Sequence, residues 1–205
     1  MKSLIQLIVA FLIASTSVFS SNTDSIFIKL PGNLIPMLTA KQRYELAEYF
    51  KAGKKDSVKN LVGSNSILLK YDTTLCHIIV KTSAIGTTEI KQINLPNNVF
   101  SIAIINTISQ PIMYSNIYFY DEKWQILAPK IELPSTSSWI NFAKLNTSNV
   151  EESWIKTLLD KKYYSMKFND SNELEVQNNV LSTLSMDDRK LAEPYFMDKS
   201  IQIQL

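Results

Sequence analysis

The sequence predicts an α+β fold in which an antiparallel sheet of about five or more strands packs against two or three helices. Runs of β-branched and aromatic residues fill most of positions 66–127, with turn residues between them at short intervals. Helix-start signals lie before and after this region rather than between its strands. Strands that are segregated from a few helices are typical of the α+β class.

The N-terminal residues 1–20 have the pattern of a secretory signal peptide. Lys2 precedes an apolar run that is shorter than the roughly 20 residues needed to cross a bilayer, and Val18 and Ser20 suit a signal peptidase cutting before Ser21. No cysteine stands near the cut to carry a lipid. We therefore expect a periplasmic or secreted protein without a lipid anchor or a membrane span, in which residues 21–205 form one α+β domain.

The first elements of the mature chain are predicted as a strand and a helix. Residues 25–30 alternate in the manner of a strand. Thr39, with Gln42 three residues later, forms a capping box that predicts a helix over about residues 39–52. Gly53 then supplies the residue at which a helix commonly ends.

The central region predicts an antiparallel meander. Its apolar runs are separated by Asp, Gly, Pro and Asn, which favour turns. The last run contains Asp121, where the chain is expected to fold into a hairpin. The predicted strands span about residues 66–71, 75–82, 87–94, 98–107 and 114–127.

A break rich in Pro and Ser follows at residues 129–147, which is where the domain would divide if it has two parts. Ser148, with Glu151 three residues later, predicts a second capped helix that runs to about Lys161.

The C-terminal part predicts a hairpin, a third helix and a last strand. Residues 163–168 and 174–176 flank a turn of Asn, Asp and Ser, and residues 201–205 alternate like a strand. The third helix lies in residues 184–196, which share Leu, Thr or Ser, Arg, Leu, Ala, Glu and Tyr-Phe with residues 38–50 in the same order. This echo fits either a decayed duplication or independent use of the same cap and aromatic residues.

Composition excludes several classes of protein. Apolar residues make up 45% of the chain and charged residues 20%, and the formal net charge is +2. Such a balance indicates an ordinary globular protein without the basic footprint of a nucleic-acid or anionic-lipid binder. Cys76 is the only cysteine, so no intramolecular disulfide forms, and its strand-like surroundings predict a buried, inert thiol.

Catalytic and cofactor motifs are missing from the sequence. His77 is the only histidine, and on a strand it would face away from its neighbour Cys76, which excludes a Cys-His dyad. With four glycines in all, the chain has no phosphate-binding loop or dinucleotide fingerprint. We therefore predict no catalytic residue, no cofactor and no metal site. Calcium binding at residues 169–173 would lack the ligand spacing and the glycine of a recognised loop.

Carboxylates leave one enzymatic alternative open. Glycoside hydrolysis needs only two acidic side chains about 5–10 Å apart and no sequence motif. The adjacent pairs sit where turns and helix starts favour acidic residues in any case. These pairs are Asp121-Glu122, Glu151-Glu152 and Asp187-Asp188.

Residues 114–124 form the best candidate for a binding surface. Period-two geometry places Tyr114, Asn116, Tyr118 and Tyr120 on one face of a strand, with Ile117 and Phe119 on the other. A hairpin at Asp121 would return Trp124 to the same place. A face of this kind stacks on sugar rings or holds a partner chain. Alternatively, the tyrosines pair across the sheet or lie under a helix. The candidate ligand-binding residues are Tyr118, Tyr120 and Trp124.

Three short motifs stand in order along the chain. They are Leu34-Ile35-Pro36-x-Leu38-Thr39 with Arg43, Leu46 and Tyr49; Asn60-Leu61-x-Gly63; and Ser115-x-Ile117-x-Phe119-Tyr120-Asp121-x-x-Trp124. In these motifs the sequence resembles a family of exported proteins of unknown function from Bacteroidales-type bacteria. The resemblance implies a periplasmic or surface location and no particular activity.

Three functional hypotheses follow from these observations. The first is a non-enzymatic periplasmic module that binds a partner protein or an envelope polymer. The second is a hydrolase that acts on glycan or cell wall through two carboxylates. Two acidic side chains that face each other across a groove would indicate such an enzyme. The third is an inhibitor-like or chaperone-like protein that uses a sheet edge, with residues 201–205 as the candidate. The sequence leaves the ligand and the oligomeric state open.

Overall fold

Two antiparallel sheets and five α-helices make up the part of the chain that the computed structural model describes, residues 23–96 and 99–205. The larger sheet is a meander of seven strands in the order β1-β2-β3-β4-β5-β6-β7, and the smaller has the order β10-β9-β8. The predicted α+β class with an antiparallel sheet is therefore confirmed. The predicted signal peptide at residues 1–20 lies outside the described residues.

The elements have the following bounds. The helices are α1 (Thr23–Lys29), α2 (Ala40–Lys51), α3 (Phe142–Leu145), α4 (Glu152–Leu159) and α5 (Met186–Ala192). The strands are β1 (Val58–Lys59), β2 (Asn65–Asp72), β3 (His77–Lys81), β4 (Gly86–Leu95), β5 (Val99–Ile108), β6 (Tyr114–Tyr120), β7 (Ile126–Leu127), β8 (Tyr164–Phe168), β9 (Leu174–Asn178) and β10 (Ser200–Ile203). Short 3-10 helices occupy Thr136–Trp139, Val180–Thr183 and Glu193–Tyr195.

The seven-stranded sheet is covered on both faces. Helices α1 and α2 pack on one face over a first core that includes Ile90 and Ile104. The three-stranded sheet packs on the other face over a second core that includes Ala103 and Ile105. Because β5 is buried on both faces, its sequence is a nearly continuous run of apolar and β-branched residues, whereas β4 also carries Glu89 and Lys91 on the face toward the three-stranded sheet. A third core lies among α3, α4 and α5 around Ile155.

The predicted meander is confirmed, and its last run is two strands joined by a turn at Asp121, as expected. One detail is wrong: Cys76 lies before β3, not within it, and has a φ of 43°. The turn forms because the Asp72 carboxylate accepts hydrogen bonds from the backbone N–H groups of Thr74 and Leu75 at 2.8 and 2.9 Å. The predicted C-terminal hairpin, third helix and last strand are also present.

The predicted strand at residues 25–30 is wrong, because residues 25–29 belong to α1 and Leu30 follows the helix directly. The buried side chains of this segment include Ile26, Phe27 and Leu30, which recur at helical rather than alternating spacing. The β-branched residues fit either period, so packing against the sheet decides the conformation. The following helix is as predicted: Thr39 and Gln42 form both hydrogen bonds of the capping box.

The predicted cap of α4 is wrong, although the helix itself is present. Glu151 is the N-cap residue and makes no side-chain capping bond. The Ser148 hydroxyl instead donates to the Leu145 carbonyl oxygen at 2.7 Å and accepts from the Val150 N–H at 3.2 Å. Ser148 thus closes the short helix α3, which the sequence did not predict.

The sequence echo between residues 38–50 and 184–196 does not extend to the role of its arginines. Arg43 is 2% exposed, whereas the side chain of Arg189 is 52% exposed and pairs with Glu193 at 3.6 Å. The two helices therefore use the same residue type in opposite environments.

Candidate functional site

Strand β6 presents one side to the solvent where α1 and α2 do not cover the sheet. Tyr114 and Tyr118 are 38% and 41% exposed on this side. Ser115 and Phe119, which alternate with them, are buried on the opposite side. Period-two alternation therefore separates the tyrosines from the second core.

Neighbouring strands extend this exposed side. Ile108 is the cross-strand partner of Tyr114, and Ile126 is the partner of Tyr120. Because directly paired residues in an antiparallel sheet point to the same face, these side chains belong to one patch. We call it the β6 surface, and it consists of Ile108, Tyr114, Asn116, Tyr118, Tyr120 and Ile126.

The three predicted site residues lie close to one another but differ in exposure. Tyr120 and Trp124 have ring centroids 6.4 Å apart at an interplanar angle of 54°, and both are partly buried against the first core. The turn that returns Trp124 is held by the Asp121 carboxylate, which accepts from the N–H groups of Lys123 and Gln125 at 2.9 and 2.7 Å. Tyr118 is the residue of the three that is free to stack on a ligand.

A groove of about 360 Å³ adjoins the β6 surface. Leu34 and Pro36, from the connection between α1 and α2, line one side of it, and Ile108 lines the other. Thr88 and Asn106 also line the groove, and the Thr88 hydroxyl donates to the Asn106 side-chain oxygen at 2.8 Å. The groove therefore combines apolar walls with uncharged polar groups.

A buried charged network that the sequence did not predict lies between the two sheets. His77 Nε2 is 2.6 Å from Glu89 Oε1, which also accepts from the Phe168 N–H at 3.1 Å. Lys91 Nζ donates to the Asn169 carbonyl oxygen at 2.9 Å. Burial lowers the pKa of Lys91 from its usual value, and the Glu89 carboxylate opposes this shift. The network ties β3 and β4 to the hairpin of β8 and β9.

The network adjoins a cleft of about 320 Å³ lined by two carboxylates. Glu89 is buried and already holds two partners, while Glu175 pairs with Lys167 at 3.4 Å. The sequence signal for Glu89 was its spacing of two from Lys91, which puts both on one face of a strand. The sequence does not show that β8 and β9 cover that face.

The acid pairs predicted from the sequence occupy turns and helix starts. Asp121 caps the turn after β6. Glu152 lies in the first turn of α4, and Asp187 and Asp188 lie in the first turn of α5. Acidic side chains at these places are explained by helix dipoles and turn hydrogen bonds.

The sheet-edge candidate also has a definite place. Strand β10 pairs with β9 on one side and is the last strand of its sheet in the described structure. Beside it lies an apolar cavity of about 630 Å³. The cavity is lined mainly by Leu95, Val99, Leu127, Ile131, Ile203 and Leu205.

Candidate metal ligands, the single thiol and the most apolar helices are the remaining features of the described residues that could mark a site. Among these residues, no group of three or more His, Cys, Asp and Glu side chains is placed to hold a metal ion. The turn at residues 169–173 closes on itself, because Asn169 exchanges hydrogen bonds with Glu173. Cys76 is a buried free thiol as predicted, and burial raises its pKa. None of the described helices has the length and hydropathy of a membrane span.

The fold is that of an α+β protein with three layers: the helices α1 and α2, the seven-stranded meander and the three-stranded sheet. The chain belongs to the family described as "Protein of unknown function (DUF3256)", whose model matches residues 15–204. The structure is similar to "Structure of a domain of an uncharacterized protein from Porphyromonas gingivalis W83", with a TM-score of 0.70 and 19% sequence identity. The match covers 86% of this chain and 90% of that chain, and shows a shared fold. A comparison with curated proteins found no match.

Proposed function

We propose that this chain is an exported, non-enzymatic module that binds a partner protein or an envelope polymer through the β6 surface. The observation that carries the proposal is the exposure of Tyr118 and Tyr114 on the part of the sheet face that α1 and α2 do not cover. Partly exposed tyrosines offer a rigid apolar ring and a polar hydroxyl in one side chain, which suits recognition. The predicted acid pairs lie at helix starts and turns rather than facing each other across a groove, which supports a binding role over hydrolysis.

Export is the part of the proposal that rests on residues 1–20. When the full chain is expressed in a Gram-negative host, we expect a periplasmic product that begins at Ser21. Intact-mass measurement of the fractionated protein checks this expectation. A product that retains residues 1–20, or one that carries an added acyl mass, would contradict it.

Binding is expected to depend on Tyr118 more than on the fold around it. The change Tyr118→Ala should weaken capture of the partner or polymer from an envelope extract by about 1–3 kcal/mol, because an exposed aromatic anchor is lost. The melting temperature should hardly move, since substitutions at exposed sites stay within about 0.5 kcal/mol. A pull-down beside a thermal melt measures both quantities.

Two variants serve as controls for this test. Tyr44, on α2 and 53% exposed, offers the matched change Tyr44→Ala, which should affect neither binding nor stability. Tyr120→Ala should lower the melting temperature, because Tyr120 packs against the first core. If Tyr118→Ala reduced binding no more than Tyr44→Ala does, the β6 surface would not be the binding site.

The hydrolase alternative is favoured by one observation, the cleft that Glu89 and Glu175 line together. If the chain hydrolyses glycan, incubation of the protein with the envelope extract should release new reducing sugar ends. Such release, abolished by Glu175→Gln and not by Tyr118→Ala, would replace the binding proposal with hydrolysis at the cleft.

A further inference from the structure

The β6 surface belongs to a sheet face without charged side chains. Across the described strands β4 to β7, paired residues alternate between the two faces of the sheet. On the opposite face this alternation places Glu89 and Lys91. The face that includes the β6 surface holds only Gly86, Thr88, Ile90, Gln92, Asn94, Phe100, Ile102, Ile104, Asn106, Ile108, Tyr114, Asn116, Tyr118, Tyr120 and Ile126.

A charge-free face argues against ligands that bind by charge. Nucleic acids and anionic polymers require basic side chains, whereas the centre of a protein interface is itself poor in charge, so a protein partner is left for the experiment to test. Ile90, Ile102 and Ile104 of this face are buried in the first core, where charge is not expected. The observation that carries the argument is that the six exposed or half-buried residues of the β6 surface are all uncharged. The chemistry of the β6 surface suits a ligand that is itself uncharged.

The polar groups on this face are amides and hydroxyls in paired positions. Asn106 and Asn116 are cross-strand partners. The Thr88 hydroxyl donates to the Asn106 side-chain oxygen at 2.8 Å, and the Tyr114 hydroxyl donates to the Asn116 side-chain oxygen at 2.8 Å. Amide and hydroxyl groups both donate and accept hydrogen bonds, as sugar hydroxyls do. These bonds hold the four groups in place before a ligand arrives.

The aromatic rings supply the apolar half of the match. Tyr118 lies two residues from Asn116 on the same side of β6, so an exposed ring stands beside the polar row. The apolar C–H face of a sugar ring packs on an aromatic ring, while its hydroxyls reach polar neighbours at the edge. Tyr114 and Tyr118 are four residues apart, or roughly 13 Å along a strand, which is longer than one sugar ring. The surface therefore fits a chain of sugars.

We infer that the β6 surface and the adjoining groove bind a neutral glycan chain, with Tyr118 stacking on a sugar ring and Asn106 and Asn116 holding its hydroxyls. This inference rests on the proposed function and names the class of ligand for the same surface. An anionic glycan and a protein partner are the outcomes against which it is tested.

The experiment uses the mature protein in affinity electrophoresis and calorimetry with soluble neutral glycans, namely a β-glucan, a galactomannan and starch. Carboxylated alginate and sulfated heparin are the anionic comparisons. We expect at least one neutral glycan to bind, with an affinity that is unchanged between about 50 mM and 500 mM NaCl, because no charge is screened. Tyr118→Ala should weaken this binding by at least about tenfold, while Tyr118→Phe and Tyr44→Ala should retain it.

The possible outcomes separate the inference from the proposed function. Failure of every neutral glycan to bind, or binding confined to the anionic glycans and lost at high salt, would overturn the inference. Capture of a protein partner that depends on Tyr118, with no glycan binding, would overturn the inference and keep the proposed function. Ligand binding that is indifferent to Tyr118 would overturn both. Melting temperatures of all variants show that the compared proteins are folded.

Discussion

Replacement of Arg43 by Met is expected to lower the free energy of unfolding by about 3–5 kcal/mol. The Arg43 side chain is buried, and its guanidinium donates to the backbone carbonyls of Leu38 at 2.6 Å, Ile28 at 3.0 Å and Leu30 at 2.5 Å. Methionine fills a similar volume but donates no hydrogen bond. Each buried group that is left without a partner costs about 1–3 kcal/mol.

The position of these carbonyls explains why a cation is needed there. Ile28 lies in the last turn of α1 and Leu30 directly follows the helix. Backbone carbonyls at the C-terminal end of a helix lack partners within the helix and carry partial negative charge. Arg43 projects from α2 and so joins the two helices of this layer. Burial lowers the pKa of Arg43 from its usual value, yet an arginine stays protonated at physiological pH, so the loss should not depend on pH near neutrality.

Urea unfolding followed by circular dichroism measures the effect. Arg189→Met is the matched control, because Arg189 occupies the corresponding place in the sequence echo but is exposed. It should change the free energy of unfolding by no more than about 0.5 kcal/mol. Arg43→Lys should fall between the two, since an ammonium group cannot reproduce the guanidinium fork. Equal stability of Arg43→Met and Arg189→Met would contradict the prediction.

The second large effect is expected for Glu89. Glu89→Ala should cost about 3–5 kcal/mol, because it removes the acceptor shared by His77 and the Phe168 N–H and the anion that most favours the charge of the buried Lys91. The loss should be concentrated where the two sheets meet. Hydrogen exchange should therefore show a faster rate for the Phe168 amide in the variant, in addition to a lower melting temperature.

Conservative variants distinguish the charge of Glu89 from its shape. Glu89→Gln keeps an oxygen for the Phe168 N–H and should lose less than Glu89→Ala. In a double-mutant cycle with His77→Asn we expect a coupling energy of about 0.5–3 kcal/mol, as for residues in one hydrogen-bonded network. Glu175→Gln, which alters a partly exposed ion pair, is the control and should cost at most about 1 kcal/mol. Additive losses at Glu89 and His77 would show that the two residues do not act together.

Several signals in the sequence predicted the structure correctly because the residues that make the bonds lie within a few positions of each other. The capping bonds join Thr39 to Gln42, three positions apart. The turn at residues 169–173 closes through Asn169 and Glu173, four positions apart. The alternation along β6 is set by the geometry of an extended chain. In each case the atoms that make the structure are already neighbours in the sequence.

Two errors have different causes, one in distant contacts and one in a short element. Residues 25–30 fit both a strand and a helix, and the contacts of Phe27 and Leu30 with the sheet select the helix. Ser148 was assigned to the wrong helix because α3 is too short to be recognised from its own periodicity.

The sequence by itself determined the α+β class, the meander and the face of β6 on which Tyr114, Tyr118 and Tyr120 stand, because period, caps and turns act over short distances. Only the tertiary structure decided which tyrosine is exposed, since Tyr118 and Tyr120 are equivalent in the pattern and differ through their distance from the first core. It also brought Glu89 together with Phe168, 79 positions away, because register and sheet packing set such contacts. Strand register and sheet packing depend on the free energy summed over the whole core rather than on any local motif.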